Sequence, residues 1–136
     1  MPEDIYIFLK NYGFTKEDLS SFETENEKIY FTNIDEIKKN IGFLLNKELS
    51  KNEIIQVIRK NPFMLTVKNN RLEAINKIYI TDLHFKILEL KKLILSNHDV
   101  YISSPVELNK NIEFLKTTSK ALIVISLILM LPIVVN

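Results

Sequence analysis

Charged side chains carry the clearest chemical signal in this sequence, because they are distributed unevenly along the chain. Residues 1 to 37 contain nine acidic and three basic residues, whereas residues 38 to 92 contain twelve basic and five acidic ones. Two basic pairs, Arg59-Lys60 and Lys91-Lys92, fall near the predicted ends of helices. The asymmetry predicts a face for an anionic partner, although solvated helix faces that bind nothing would produce the same pattern.

Residue types suited to catalysis lack the spacing that catalysis needs. His84 and His98 are 14 positions apart, and neither has a carboxylate or a second histidine at the spacing of metal ligands. Ser103-Ser104 is best explained as a helix cap, and no glycine-rich phosphate loop or carboxylate pair for acid–base chemistry stands out. The absence of cysteine excludes disulfides and thiolate zinc sites. We therefore predict a non-enzymatic protein without a cofactor or metal.

The elements that position these side chains are predicted to be helices. The chain of 136 residues suits one domain and contains only 2 glycines and 4 prolines. A many-stranded sheet would need turn residues about every 8–12 positions. The composition therefore predicts one all-α domain over residues 1–136.

The sequence also repeats itself. NIGFL at 40–44 returns as NIEFL at 111–115, a separation of 71, or two periods of about 35. FLKNYGFTKEDL at 8–19 aligns with FLLNKELSKNEI at 43–54 at an offset of 35. Asn61-Pro62 has counterparts in Asn26-Glu27, Asn97-His98 and Leu131-Pro132. We divide the chain into repeats at 8–43, 44–79 and 80–116, with a partial repeat at 117–136.

Helix-capping patterns recur with the same period. Ser50 with Glu53 and Thr15 with Asp18 fit the start of the first helix of a repeat. A second set is predicted to open the second helix, and it comprises Asn33 with Glu36, Asn70 with Glu73, and Ser104 with Glu107. The patterns predict helices near 3–11, 16–25, 33–46, 50–60, 70–79, 82–96, 104–116 and 118–131.

Pro62 explains why a helix must end near residue 60. Proline lacks the amide hydrogen and clashes with the preceding turn, so the chain has to leave the helix there. We expect Phe63, Met64 and Leu65 to be buried between neighbouring repeats. Because a small helix pair cannot bury its own apolar face, the repeats are predicted to stack into a right-angled helix-pair solenoid of about three and a half repeats.

These motifs resemble the mitochondrial transcription termination factor (mTERF) family. FLKNYGFTKEDL is similar to the turn of the family repeat, VIRKNPFMLTVKNNRLEAI to its Asn-Pro core, and VYISSPVELNKNIEFLK to its second helix. The sequence departs from the family pattern at Glu27 and His98, where proline is usual, and at Glu48, where a turn glycine is usual. The resemblance implies a helical-repeat fold and binding of DNA or RNA along a basic concave face.

Eight basic residues are the candidates for that face: Lys38, Lys39, Arg59, Lys60, Lys68, Arg71, Lys91 and Lys92. At recurring positions of a solenoid, such residues would form a stripe along phosphates. The alternative is that cations near helix C-termini only complement the helix dipole. With two arginines in the chain, sequence-specific readout is predicted to be weak. The alternative function is a protein–protein interaction module of the same fold.

The apolar tail ALIVISLILMLPIVV, residues 121–135, is too short to span a bilayer comfortably. As a helix it would reach about 22 Å, whereas the hydrocarbon core is about 30 Å thick. It can be buried against the end of the solenoid, pair with a second chain or a partner protein, or lie on a membrane, which we consider the least favoured. The acidic N-terminus resembles no targeting peptide, so we expect a cytoplasmic protein, with a mature organellar chain as the alternative.

Overall fold

The protein is described from a computed structural model. It describes residues 1–96 and residue 101, and within these residues every regular element is helical. The chain divides into two compact units, Met1–Asn69 and Asn70–Asn136. The all-α fold predicted from composition and repeats is confirmed.

The N-terminal unit, Met1–Asn69, contains four α-helices and two 3₁₀ helices. The α-helices are α1 (Glu3–Tyr12), α2 (Lys16–Glu25), α3 (Ile34–Leu45) and α4 (Lys51–Lys60). The first 3₁₀ helix (Glu27–Tyr30) follows α2, and the second 3₁₀ helix (Pro62–Leu65) follows α4. Helix α5 (Asn69–Lys77) begins at the last residue of this unit and continues into the next one.

Reciprocal caps define where α2 and α4 begin. The Thr15 hydroxyl accepts a hydrogen bond from the Asp18 N–H (3.0 Å), and the Asp18 carboxylate accepts one from the Thr15 N–H (2.9 Å). Ser50 and Glu53 repeat this arrangement at 3.2 and 2.9 Å. Both predicted caps are confirmed, since each satisfies two amides that a helix start leaves without partners.

Of the predicted caps of the second helices, Asn33 is confirmed as a cap but not as a capping box with Glu36, and the cap at Asn70 was wrong. Asn33 caps α3 through the N–H of Asp35 (2.7 Å) and does not form a box with Glu36. The Glu36 carboxylate instead accepts the N–H of Asn69 (3.3 Å), the first residue of α5. Since α5 begins at Asn69, Asn70 lies inside the helix and not at its cap.

A left-handed residue precedes each first helix. Gly13, Glu48 and His84 have φ values of 131°, 65° and 59°. They are 35 and 36 residues apart, and each is followed by a buried residue, namely Phe14, Leu49 or Phe85. Glu48 stands where the family pattern favours glycine, and it adopts the left-handed backbone that explains this preference. The backbone therefore repeats even where the residue type does not.

The asparagines predicted to be equivalent have matching backbone geometry. Asn26 ends α2 with φ −137° and ψ 84°, and Asn61 ends α4 with φ −144° and ψ 86°. Both side chains are buried and each residue leads into a 3₁₀ helix. Asn97, the third member of the predicted set, lies outside the described residues.

Two buried side-chain amides, both from earlier in the sequence, hold the second 3₁₀ helix and the residues that follow it. Asn26 donates through Nδ2 to the Pro62 carbonyl oxygen (3.2 Å) and the Thr66 hydroxyl (2.9 Å). Asn40 of α3 donates through Nδ2 to the carbonyl oxygens of Leu65 (3.3 Å) and Val67 (2.8 Å). These bonds tie the second 3₁₀ helix to the end of α2 and to α3, and those from Asn40 provide partners for carbonyl groups at and beyond the end of the 3₁₀ helix.

The second 3₁₀ helix contributes directly to the core of this unit, where it contacts α3 and α4. Met64 and Leu65 are buried, as predicted. The prediction was wrong for Phe63, whose side chain is 46% exposed. A 3₁₀ helix has about three residues per turn, so three consecutive side chains cannot all face the same core.

The C-terminal unit, Asn70–Asn136, is described as far as Ser96 and at Tyr101. The remainder of α5 leads into a single π-helical turn (Ile78–Asp82), in which the Leu83 N–H donates to the Ile78 carbonyl oxygen (3.1 Å). Glu48 and His84 are 36 residues apart, one more than Gly13 and Glu48, and the π turn accommodates this additional residue. Helix α6 (Ile87–Ser96) therefore starts later than the predicted residue 82, because the π turn and the left-handed His84 come first.

Three aromatic rings contact one another within the described core of this unit. The Tyr79 ring lies edge-on to Phe85 (5.9 Å between centroids) and to Tyr101 (5.3 Å). The Tyr101 hydroxyl donates to Asn76 Oδ1 at 2.9 Å. Burial raises the pKa of both tyrosines above the usual value, so neither serves as an acid or base near neutral pH.

Several predictions concern residues outside the described part of the chain. They are the helices near 104–116 and 118–131, the cap at Ser104 and the packing of the apolar tail. The single domain, its repeat boundaries and the stacking of repeats into a solenoid remain predictions. Among the described residues, no helix is long and apolar enough to cross a membrane.

Candidate functional site

The eight predicted basic residues are divided between the two units. Lys38 and Lys39 lie in α3, Arg59 and Lys60 end α4, and Lys68 precedes α5, all within Met1–Asn69. The other three, in α5 and α6 of the C-terminal unit, are Arg71, Lys91 and Lys92. The candidate residues therefore lie on both kinds of helix in the repeat. Helices α3 and α5 are second helices, and α4 and α6 are first helices.

One positional prediction needs correction. Arg59 and Lys60 are the last two residues of α4, as expected, but Lys91 and Lys92 occupy the middle of α6. The π turn and the His84 turn delay the start of α6 to Ile87, so Lys91 and Lys92 are the fifth and sixth residues of this ten-residue helix. The dipole of the helix end consequently does not account for Lys91 and Lys92.

Arg59 is bound by a carboxylate of the same chain. Its Nε donates to Asp18 Oδ1 and its Nη2 donates to Asp18 Oδ2, each at 3.0 Å. The side chain of Arg59 is 36% exposed and that of Asp18 is 15% exposed. This bidentate pair connects the end of α4 to the first turn of α2. It also occupies the Nε and Nη2 donors, the pair that could otherwise bind a phosphate.

The environment of Asp18 keeps its carboxylate charged. Partial burial acts to raise the pKa of Asp18, but hydrogen bonds from Arg59 and Thr15 and the Arg59 charge outweigh it, so the pKa is lowered. Sequence reasoning found Asp18 only as a capping residue. The contact with Arg59 spans 41 positions, and no local pattern indicates it.

The lysines of the N-terminal unit differ in what they touch. The Lys38 ammonium lies over the Phe8 ring of α1, 5.4 Å from its centroid, while Lys39, Lys60 and Lys68 are exposed. Within residues 1–96, no carboxylate lies within ion-pairing distance of these three lysines. Their charges therefore remain available to a partner.

Two further lysines, absent from the predicted set, cover aromatic rings. Lys47 is buried, and its ammonium lies 4.6 Å from the Phe43 centroid. The Lys51 ammonium lies 5.0 Å from the centroid of Tyr12. Both lysines make cation–π contacts, and because Lys47 is also buried, its charge does not contribute to an exposed basic face.

In the C-terminal unit the basic side chains have different degrees of burial. Arg71 and Lys92 are exposed, whereas Lys91 is partly buried. His84 is exposed and occupies the left-handed turn before α6, which explains its position without any metal. No group of three or more potential metal ligands exists among the described residues, and His98 lies outside them.

Exposed aromatic side chains also occur near the 3₁₀ helices of the N-terminal unit. Phe31, directly after the first 3₁₀ helix, is 90% exposed, and Phe63 in the second is about half exposed. Sequence reasoning assigned Phe63 to packing and did not single out Phe31. A phenylalanine with so little of its surface covered contributes nothing to the core of its own chain.

Comparison with known proteins gives matches to the mTERF family and to mitochondrial transcription termination factors. The sequence model of the mTERF family matches residues 3–134. The mouse (Mus musculus) protein named transcription termination factor 3, mitochondrial, is 25% identical over 92 residues, which cover 68% of this chain and 22% of the mouse protein. The rat (Rattus norvegicus) protein of the same name is 26% identical over 92 residues, with the same coverage.

This chain thus spans about a fifth of the length of these relatives. The family match extends over nearly all of the chain, and the described residues contain the helix, 3₁₀ helix and helix order that the motifs indicated. The chain belongs to the mTERF family of helical-repeat proteins.

Proposed function

We propose that this chain is a nucleic-acid-binding helical-repeat module that contacts the phosphate backbone through exposed lysines. The observation that carries the proposal is that three of the predicted lysines in Met1–Asn69, namely Lys39, Lys60 and Lys68, are exposed and have no carboxylate partner among residues 1–96. Membership of a family whose relatives here are named transcription termination factors supports the same assignment.

The chemistry of lysine defines the kind of binding. An ammonium group acts as a point charge toward a phosphate, and phosphate contacts carry no base sequence information. The chain has two arginines, and Arg59 is already paired with Asp18. We therefore propose binding that depends on backbone charge, applies to DNA or RNA, and acts in regulation by occupying the nucleic acid.

A titration by fluorescence anisotropy tests this proposal with labelled duplex DNA, single-stranded DNA and single-stranded RNA. A triple variant, K39Q/K60Q/K68Q, removes the three ammonium groups. For duplex DNA the log–log salt slope should become shallower by about 0.9 for each phosphate contact that is lost. The weakening should be the same for unrelated probe sequences.

The matched control is K10Q/K16Q/K28Q. These three lysines are also exposed, but they lie in the acidic part of the chain. Because both variants replace three lysines, they change the net charge by the same amount. The control should leave the salt slope unchanged. An equal loss in both triple variants would contradict a defined lysine surface and indicate a response to net charge alone.

A protein–protein interaction module is the alternative function. The exposed Phe31 favours it, because an aromatic side chain that is 90% exposed is costly to solvate and is typical of contact surfaces. If the unmodified protein binds none of the three probes at low salt, this alternative replaces the proposed function.

A further inference from the structure

The ion pair between Arg59 and Asp18 has the geometry of phosphate recognition. Both carboxylate oxygens accept from the guanidinium, Oδ1 from Nε and Oδ2 from Nη2, at equal distances of 3.0 Å. The same two parallel donors match two oxygens of a phosphodiester. Asp18 thus presents to Arg59 the arrangement that a nucleic-acid backbone would present.

The position of Arg59 makes this resemblance relevant to binding. It is the single arginine of Met1–Asn69, it is adjacent in sequence to the exposed Lys60, and its own side chain is 36% exposed. A guanidinium next to an exposed lysine would be a strong phosphate ligand if it were available.

We propose that Asp18 is an internal competitor for phosphate, which holds Arg59 out of the nucleic-acid interface until a phosphate displaces it. The inference rests on the proposed function and adds a regulatory contact to the same surface. Asp18 is a positioning residue here, because it acts through Arg59 and does not itself bind the nucleic acid.

The structure also indicates which partner moves. Asp18 is anchored by its second role, since Oδ2 accepts the Thr15 N–H at 2.9 Å and the Asp18 N–H donates to the Thr15 hydroxyl. The Arg59 side chain donates both of its hydrogen bonds within residues 1–96 to Asp18. Release of Arg59 therefore leaves the cap of α2 intact, and the long arginine side chain can turn toward a phosphate while the carboxylate stays in place.

The strength of the contact suits a displaceable competitor. A partly exposed ion pair is weak in water, and a forked one is among the stronger examples. Removal of the competing carboxylate should therefore increase nucleic-acid affinity about fivefold, which corresponds to ~1 kcal/mol. The additional phosphate contact should make the log–log salt slope steeper by about 0.9.

The variant D18N tests the inference. Asparagine keeps a carbonyl oxygen that can accept the Thr15 N–H, but it removes the charge and the second acceptor for Arg59. The matched control is E53Q, because Glu53 occupies the same capping position in α4 and its change adds the same net charge. Both proteins are titrated with a labelled duplex of arbitrary sequence between about 50 and 200 mM salt.

We expect D18N to bind about fivefold more tightly than the unmodified protein with a steeper salt slope, whereas E53Q shows neither change. The double variant D18N/R59Q should lose the gain, since the released group is then absent. Far-ultraviolet circular dichroism checks the fold, and D18S, which keeps a hydroxyl acceptor, replaces D18N if that variant unfolds.

Two results would overturn the inference, and they differ in what they say about the proposed function. If the unmodified protein binds and D18N matches E53Q in affinity and slope, Asp18 is only a structural partner of Arg59 and the lysine interface stands. If neither the unmodified protein nor D18N binds at low salt, both the competitor and the proposed function are wrong.

Discussion

Replacement of Leu65 by alanine tests how strongly the second 3₁₀ helix supports the N-terminal unit. The Leu65 side chain is fully buried (0% exposed) in a segment that contacts α3 and α4. Alanine lacks three carbons of leucine, and at about 0.8 kcal/mol for each buried methylene equivalent the loss of transfer free energy is ~2.4 kcal/mol. The surrounding backbone is held by Asn26 and Asn40, so it can close only part of the space.

The cavity that remains adds to this loss. Large-to-small changes in cores typically cost about 2–5 kcal/mol in total, and the cost rises with the volume left empty. We therefore expect L65A to lower the free energy of unfolding by about 3–5 kcal/mol. Urea denaturation followed by circular dichroism measures this as a lower midpoint with an unchanged slope.

Leu45 offers a chemically identical control. It lies at the end of α3 with 49% of its surface exposed, so L45A removes the same atoms but only about half of their burial. The expected loss is about 1 kcal/mol, because an exposed site leaves no closed cavity. A loss for L65A below about 0.5 kcal/mol, the scale of surface substitutions, would refute the proposed role of this segment.

Three further predictions concern polar and backbone features. N40A should lower the free energy of unfolding by about 1–3 kcal/mol in the same urea assay, because the Leu65 and Val67 carbonyls lose a buried donor; an unchanged midpoint would contradict this. G13A should cost more than about 1 kcal/mol, since a Cβ at φ 131° would lie 3.0 Å from Ile55 Cδ1, whereas G42A, with nothing within 4 Å, should be neutral or stabilising by urea denaturation. The pKa of Asp18 is lower in the folded protein than in the unfolded chain, so the stability that its carboxylate contributes is present above the unfolded pKa and is lost as the pH falls through the folded pKa. D18N lacks this carboxylate. Its free energy of unfolding, measured by urea titration, should therefore fall less steeply with acid below about pH 4 than that of the unmodified protein.

Local features of the fold could be predicted from the sequence because their physical causes are local. The caps of α2 and α4 join residues three positions apart, and Pro62 ends a helix through its own missing amide hydrogen. The spacing of about 35 residues likewise indicated equivalent turns, and Asn26 and Asn61 have nearly identical backbone angles. The family motifs arise from the same local requirements.

The candidate site was predictable only as a set of charges. Composition along the chain indicated that residues 38 to 92 are basic, but it could not distinguish an available ammonium from one that packs on a ring. Lys39 is exposed, whereas Lys47 is buried over Phe43. That distinction depends on which neighbours the folded chain brings to each side chain.

Tertiary structure decided the contacts between residues that are distant in sequence. Arg59 forms an ion pair with Asp18, which is 41 positions away, and Glu36 accepts a hydrogen bond from Asn69, which is 33 positions away. The sequence had instead predicted phosphate binding for Arg59 and helix capping for Glu36. Residue spacing determines helix starts, turns and repeats, because those depend on backbone geometry within a few residues. The pairing of a charge depends on the packing of whole helices, and only the folded protein determines it.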